Sequence, residues 1–315
     1  ATADIIAAYV YWTASYDASF DTPDTSVVFE NTTLYDFSPE TETFRYNGDD
    51  LDFYSGKADV TSIVDSRRNA SYAMSGLEIE AGNPHCTPAS VLGGWALVVI
   101  YEDDSEPTRV VNLYDGFQLF RGNGFPITAN NFEISSNPSG KHAHITWEGD
   151  VGNSASLNGY SEALNLTTQS GSRELTDSTN PSGEQFNSRS NIYGTASPTY
   201  GLDIDEYDIG SFLTPGEKSF TTSYSSGGDL VLLTAEITSV SNITVADLSV
   251  TTTNPISWLE GSTVSKKFTI TNNGPNDVPI NSVEFNTTLP GDLTFSGTQG
   301  NSDWSCTQTG QNLSC

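Results

Sequence analysis

The chain has 315 residues, with 40 acidic and 12 basic side chains and a formal net charge of −28. A domain usually takes about 100–200 residues, so this length suggests two or three, each long enough to bury a core. Hydrophobic residues at 36% and aromatics at 11% exclude a disordered acidic tail. The negative excess repels phosphate backbones and anionic lipid alike, which sets aside nucleic acid and a membrane surface as partners.

Taken from the start, the chain opens on Ala1 rather than methionine, which reads as a mature chain whose secretory signal has been removed. Short runs rich in Val, Ile, Thr, Tyr, Phe and Trp then recur between clusters of Gly, Asn, Asp, Pro and Ser. Among them are Ala8 to Trp12, Ser26 to Glu30, Trp95 to Tyr101, Val110 to Tyr114, Ala143 to Trp147, Leu230 to Ile237 and Lys267 to Thr271. Helical periodicity is nearly absent, so the expected class is all-β, with sheets paired as sandwiches to hide their apolar faces. The longest apolar run, Trp95 to Tyr101, is strand-sized and far short of the roughly 20 residues a membrane helix needs.

Four blocks repeat in the same order. Ala8 to Ser15 aligns with Ala143 to Asp150, and Tyr54 to Val64 with Glu206 to Leu213. Ser71 to Gly76 aligns with Phe220 to Gly227, and Trp95 to Tyr101 with Asp229 to Ala235. Each stretch is the size of one antiparallel sandwich, which predicts two jelly-roll-like modules, 1–122 and 123–244. One large sandwich with similar strands is the alternative. A third module is expected over 245–315.

That last stretch carries Ala246-Asp-Leu-Ser-Val250, Thr269-Ile-Thr-Asn-Asn-Gly-Pro275, Thr288-Leu-Pro290 and Trp304-Ser-Cys306 with Cys315. It resembles a conserved repeat domain of bacterial surface proteins, a family of unknown function with an Ig-like sandwich fold. Such repeats normally run on past the second cysteine into one more strand, whereas this sequence ends at Cys315. The preceding residues, with Leu92 to Asp103, Tyr114 to Gln118, His144 to Asp150 and Tyr224 to Leu233, resemble the β-rich region often found upstream of those repeats. The resemblance implies a secreted, surface-associated architecture and brings no catalytic residues with it.

Cys306 and Cys315 flank Gly310 at hairpin spacing, so a disulfide is expected in an oxidising compartment. Cys86 is left over and is expected to be buried, with pairing between chains as the alternative. The six Asn-x-Ser/Thr sequons, at Asn31, Asn69, Asn165, Asn242, Asn286 and Asn312, are about what chance gives in a chain this rich in Ser and Thr.

His142 and His144 share one face of a strand, with Glu148 and Asp150 close behind, a pattern that could suit a transition metal. The repeat alignment instead makes Ala143, Ile145 and Trp147 the core face and turns both histidines outward. Trp12 and Trp147 could be sugar-stacking platforms, but their equivalent places favour packing, and Trp95 reads as core. Trp258 and Trp304 are less defined. The acidic clusters are Asp49 to Asp52, Glu102 to Asp104 and Asp203 to Asp208. A solvated acidic surface is the default for all three. Structural calcium is the sharper alternative, with Asp203, Asp205 and Asp208 as ligands. Asp59 and Asp208 could also cap helical turns. No nucleophile elbow, phosphate loop or His-Glu-x-x-His sequence is present, so no catalytic residue is expected.

In Trp95 to Tyr101 and Leu230 to Leu233 both alternating faces are apolar, which predicts cover on both sides, by the other repeat or by a second subunit. The expectation is a non-enzymatic, extracellular structural protein of the bacterial cell surface, built to pack against protein and to self-assemble into a filament or surface array. The segment Ala1 to Trp12, through Ile5, Ala7 and Tyr9, is the candidate strand for donation to a neighbour. A chain continuing past Cys315 is the other source for the last strand. The competing reading is an adhesin or carbohydrate-binding protein, with calcium as its ion.

Overall fold

The computed structural model describes the chain apart from residues 1–2, 87–89, 104–105, 107, 151, 153–154, 193–198, 244–247, 254–258, 273–277, 279–282 and 299–303. In chain order its elements are β1 (Asp4–Tyr16), β2 (Ser26–Phe29), β3 (Thr32–Tyr35), β4 (Glu40–Tyr46), β5 (Asp49–Asp59), α1 (Thr61–Arg67), β6 (Met74–Ser75) and β7 (Gly93–Glu102). There follow β8 (Arg109–Ala129), β9 (Gly140–Trp147), β10 (Glu162–Thr168), β11 (Gly171–Glu174), β12 (Leu202–Asp208) and β13 (Phe220–Ser241). The last are β14 (Leu248–Thr253), β15 (Lys267–Asn272), β16 (Asn286–Thr288), β17 (Thr307–Thr309) and β18 (Asn312–Ser314). The class is all-β, and every strand pairing is antiparallel.

Two compact units divide the chain, Ala1–Ile243 and Thr244–Cys315. The expected boundary at 122/123 falls inside β8, which pairs with β13 from Arg109 to Ala129 through four register shifts. The first 243 residues are therefore one unit rather than two modules in series, because the longest strand pair in the molecule crosses the expected joint.

That pair is also the fold's main device. Tyr224 and Glu236 are both on β13, twelve residues apart, yet the Tyr224 hydroxyl donates to Glu236 Oε2 at 2.7 Å. A straight strand rises about 3.3 Å per residue and would separate them by roughly 40 Å. The ribbon must fold back on itself, and its register shifts between Ser223 and Leu230 mark the bend. Gly227 (φ +59°) lies opposite Gly122 (φ +76°) there, both in the left-handed region that glycine enters without steric penalty.

Folding back produces stacked layers. One sheet has the order β4-β5-β1-β7. Its Tyr11, Leu51, Phe53 and Ala96 pack against Phe117, Ile145, Trp147, Leu230, Leu232 and Ala235 of the second sheet. The second sheet, ordered β11-β10-β13-β9-β12 with β8 on β13, closes over its own other face, where Leu164, Leu166 and Tyr224 meet Tyr207, Ile209, Val231 and Leu233. On the far side of the first sheet, α1 and the β3-β2-β6 sheet cover Ala8, Val10, Trp12 and Ala14 through Val27, Phe29, Leu34 and Val64.

Of the doubly apolar strands, β13 is thus sealed by its own chain and β7 is covered in part. On β7, Ala96 and Val98 face the second sheet while Trp95 and Leu97 pack under the α1 cap. On β13, Leu230 and Leu232 face one core and Val231 and Leu233 the other. The cover of Leu230 to Leu233 needs no second subunit, whereas Val99 and Tyr101 of β7 stay 36% and 59% exposed. The order β5-β1-β7 recurs as β12-β9-β13, matching the order of the repeated sequence blocks.

In the second unit, β14 pairs with β15, and β16-β18-β17 form a separate sheet with the terminal strand β18 in its middle. Cys306 and Cys315 are disulfide-bonded across the β17–β18 hairpin. Cys86 is free and exposed, against the expectation of burial.

Candidate functional site

The strand expected to leave for a neighbour does not do so. β1 pairs with β5 from Tyr9 onward and with β7 from Asp4 onward, so Ile5, Ala7 and Tyr9 belong to an interior strand of their own sheet. Ala8 and Val10, on either side of Tyr9, are in the core. Period-two alternation shows that a strand has two faces but says nothing about which strands flank it.

The proposed calcium ligands separate likewise. Asp203 and Asp205 share the inward face of β12, whereas Asp208 accepts the Gly210 N–H at 2.8 Å and starts the 3-10 turn Gly210–Phe212. Asp203 accepts the N–H groups of Ser188 (3.1 Å) and Arg189 (2.8 Å), and Asp205 that of Asn191 (2.8 Å). These carboxylates bind peptide donors and clamp the 187–191 segment along β12. Among the described residues no group of three or more His, Cys, Asp or Glu side chains is arranged to hold a metal ion. Asp59 plays the turn role expected of it, accepting the N–H (2.8 Å) and hydroxyl (2.6 Å) of Thr61 at the start of α1. Those two bonds lower its pKa.

The histidines are the largest departure. His142 and His144 are fully buried rather than outward-facing, because the strand's second face lies inside the folded-back sheet. Ile145 and Trp147 occupy the opposite core as expected. On the histidine face, β13 and β12 flank β9 so that His144 lies between Glu236 and Asp205, and His142 between Thr238 and Tyr207. His142 Nε2 stands 3.2 Å from Glu236 Oε2, and His144 Nε2 stands 3.5 Å from Asp205 Oδ2. Tyr224 donates to Glu236, and the Tyr207 hydroxyl accepts from Asn180 Nδ2 at 3.0 Å and Gln185 Nε2 at 2.5 Å.

Burial controls the charge states in this polar layer. Desolvation, with the neighbouring His142 adding to it, pushes the His144 pKa well below its ordinary value, so its ring is neutral. Desolvation raises Asp205 to about 7, with Asp177 adding to the rise and hydrogen bonds from Asn191 and Asn180 opposing it. Asp203 is raised by burial and then by Asp205, against the pull of the 187–189 peptide donors. Two His–carboxylate pairs could move protons in an open cleft. Here all four side chains are 0% exposed, so no substrate reaches them.

A second acidic group sits near the bend of the ribbon. Glu162 pairs with Ser226 across β10–β13 and is 1% exposed, with the Phe186 peptide N–H as a weak donor to its carboxyl. Burial raises its pKa to about 9, with Asp229, Glu184 and Asp203 adding to the rise. Glu148 is raised by burial and by Asp229 and Asp150, against Arg121. Asp229 is itself engaged, accepting the Asp150 and Leu230 N–H groups at 2.8 and 2.9 Å.

Solvent meets different chemistry. A cleft of about 330 Å³ is lined by Tyr16, Tyr54, Asp21, Asp24, Glu78 and Glu80, with Ser15, Thr22 and Ile79. The Tyr54 hydroxyl donates to Asp24 at 3.0 Å, and Tyr16 meets Tyr54 edge-on with ring centroids 5.7 Å apart. His85, beside Cys86 in sequence, is buried with its Nε2 3.0 Å from the Tyr16 carbonyl, so the two do not form a dyad. Trp12 and Trp147 are core residues, unavailable to a sugar. Trp258 and Asp104 lie outside the described residues.

Sequence reading missed Glu236, Tyr207, Tyr224 and Glu162. The available signals were a lone carboxylate inside the apolar run Leu230 to Ile237 and the Gly227-Gly228 pair just ahead of it. No helix among the described residues is long and apolar enough to cross a membrane. No family model and no curated protein matches the chain. One solved structure that it matches is described as "Structure of infectious bursal disease virus Gx strain", with a TM-score of 0.21 and 14% identity over 75% of this chain and 55% of that one. The chain thus spans little more than half of that protein, and a likeness so slight carries no argument about either fold or function.

Proposed function

We propose that the chain is a non-enzymatic, extracellular structural protein of a bacterial cell surface, a subunit of a filament or surface assembly held by protein–protein contacts. The observation that carries this reading is the sealing of His142, His144, Asp205 and Glu236 at 0% exposure inside a closed sheet sandwich. The groups best suited to acid–base chemistry lie within the core, away from solvent. Further support comes from the net charge of −28, the disulfide hairpin in the second unit and the resemblance of 245–315 to bacterial surface repeats. Electron microscopy of the purified full chain tests the reading. Filaments or regular arrays are expected, and isolated particles under all conditions would overturn it.

The Tyr16–Tyr54 cleft favours a second reading, an adhesin for a glycan. The half-buried Tyr16 ring and the carboxylate acceptors around it suit a sugar ring and its hydroxyls, and Phe20 nearby in sequence is almost wholly exposed. Glycan-array binding lost in Tyr16→Ala would support it, a chelator arm would test for calcium, and an empty array would dismiss it.

A further inference from the structure

Edge strands with unpaired peptide groups invite pairing with another chain, and proteins blunt them with charge, proline, bulges or cover. Most outer strands of the first unit follow that rule. β4 carries Glu40, Glu42 and Arg45, and β11 carries Arg173 and Glu174. The outer side of β12 is plugged by Asn191, whose side chain bonds both the Glu206 N–H (2.9 Å) and the Glu206 carbonyl (3.0 Å).

β7 departs from the rule. It ends the β4-β5-β1-β7 sheet, and among the described residues no strand pairs its outer side. Over ten residues, Gly-Gly-Trp-Ala-Leu-Val-Val-Ile-Tyr-Glu, it has no lysine, no proline and a single charge at its last position. Trp95, Leu97, Val98 and Ile100 are only half-buried there, and Val99 and Tyr101 are 36% and 59% exposed. Next to it, Ile6 on the bulge of β1 is 56% exposed. An uncharged apolar edge on a chain of net charge −28 is the place where close approach of another strand meets least repulsion.

We propose that two copies of this chain associate by antiparallel pairing of β7 with β7 across a two-fold axis. Charge selects both the partner and the direction. With the axis at Val98, Glu102 of each copy falls opposite the side-chain-free Gly94 of the other, and Tyr101 opposite Trp95. Parallel pairing would set Glu102 against Glu102. The antiparallel arrangement is isologous, places Val98 beside its own copy and Val99 beside Leu97, and extends one four-stranded sheet to eight strands. The inference deepens the reading of the chain as an assembly subunit and rests on it.

The test is light scattering after gel filtration of the full wild-type chain and of Val99→Lys and Tyr101→Lys, with concentration-dependent amide exchange across β7. Val99 and Tyr101 are surface positions, so both variants should keep the wild-type unfolding transition. The expected result is a wild-type dimer or larger species with β7 amides protected as concentration rises, and at least tenfold weaker association in each lysine variant. Association unchanged in folded variants, with no β7 protection, would overturn the β7 contact while leaving an assembly through another surface. A wild-type chain that stays monomeric throughout would overturn both.

Discussion

Glu162→Gln should stabilise the protein, and by an amount that depends on pH. Glu162 is buried against the bend of the ribbon among Asp229, Glu184 and Asp203, with only a weak peptide donor at Phe186 opposing them. Its pKa rises from an ordinary 4.5 to about 9 on folding. The unfolded chain therefore releases a proton above pH 4.5 that the native chain retains, and native stability falls as pH rises from there to about 9. At 1.36 kcal/mol per pK unit the penalty is about 3 kcal/mol at pH 7 and about 6 kcal/mol at pH 9 and above. Glutamine keeps the shape and cannot ionise. Urea unfolding of both proteins at pH 4.5, 7 and 9 should show near-equal stability at the lowest pH and a variant advantage that widens with each step. A gain independent of pH, or a less stable variant at pH 7, would refute the reasoning.

Further outcomes follow from the packing. Trp12→Ala should lower stability by about 3–5 kcal/mol, since the indole is wholly buried under the α1 cap, and thermal unfolding would register it. At Gly56, an added Cβ would stand 2.3 Å from the Trp12 ring, so Gly56→Ala should cost about 1–3 kcal/mol in chemical denaturation. Deleting residues 1–6 should destabilise the first unit, because Asp4 and Ile5 pair with β7 and Ile5 packs on the core. A lowered melting transition is expected. Cys306→Ser with Cys315→Ser opens a loop of nine-residue separation and should remove about 2–3 kcal/mol from the second unit, seen as a shift in that unit's transition alone.

Much of the fold was legible in local pattern. Alternation marked the strands, and Trp12 and Trp147 are core as their shared place in the repeat suggested. The Asp59 and Asp208 turns are where the sequence put them. What alternation could not supply was layer number. In a two-layer sandwich one face of β9 would be wet, and His142 and His144 would belong to it. The bend of β8 and β13 adds a layer on that side, so the polar face is sealed as completely as the one holding Ile145 and Trp147. Only Gly122 and the Gly227-Gly228 pair hinted at the bend, and glycines are common in ordinary hairpins. The same limit misplaced Ile5, Ala7 and Tyr9, whose alternation suits a donated strand and a central one equally well.

The central claim is that this chain assembles through protein surfaces. The most direct test is sedimentation of the purified wild-type chain at rising salt. Self-repulsion from 28 excess negative charges acts over about 30 Å at 0.01 M and only about 3 Å at 1 M. The expected result is association that strengthens steeply as salt is added, while a single monomeric boundary at every salt and concentration would contradict it.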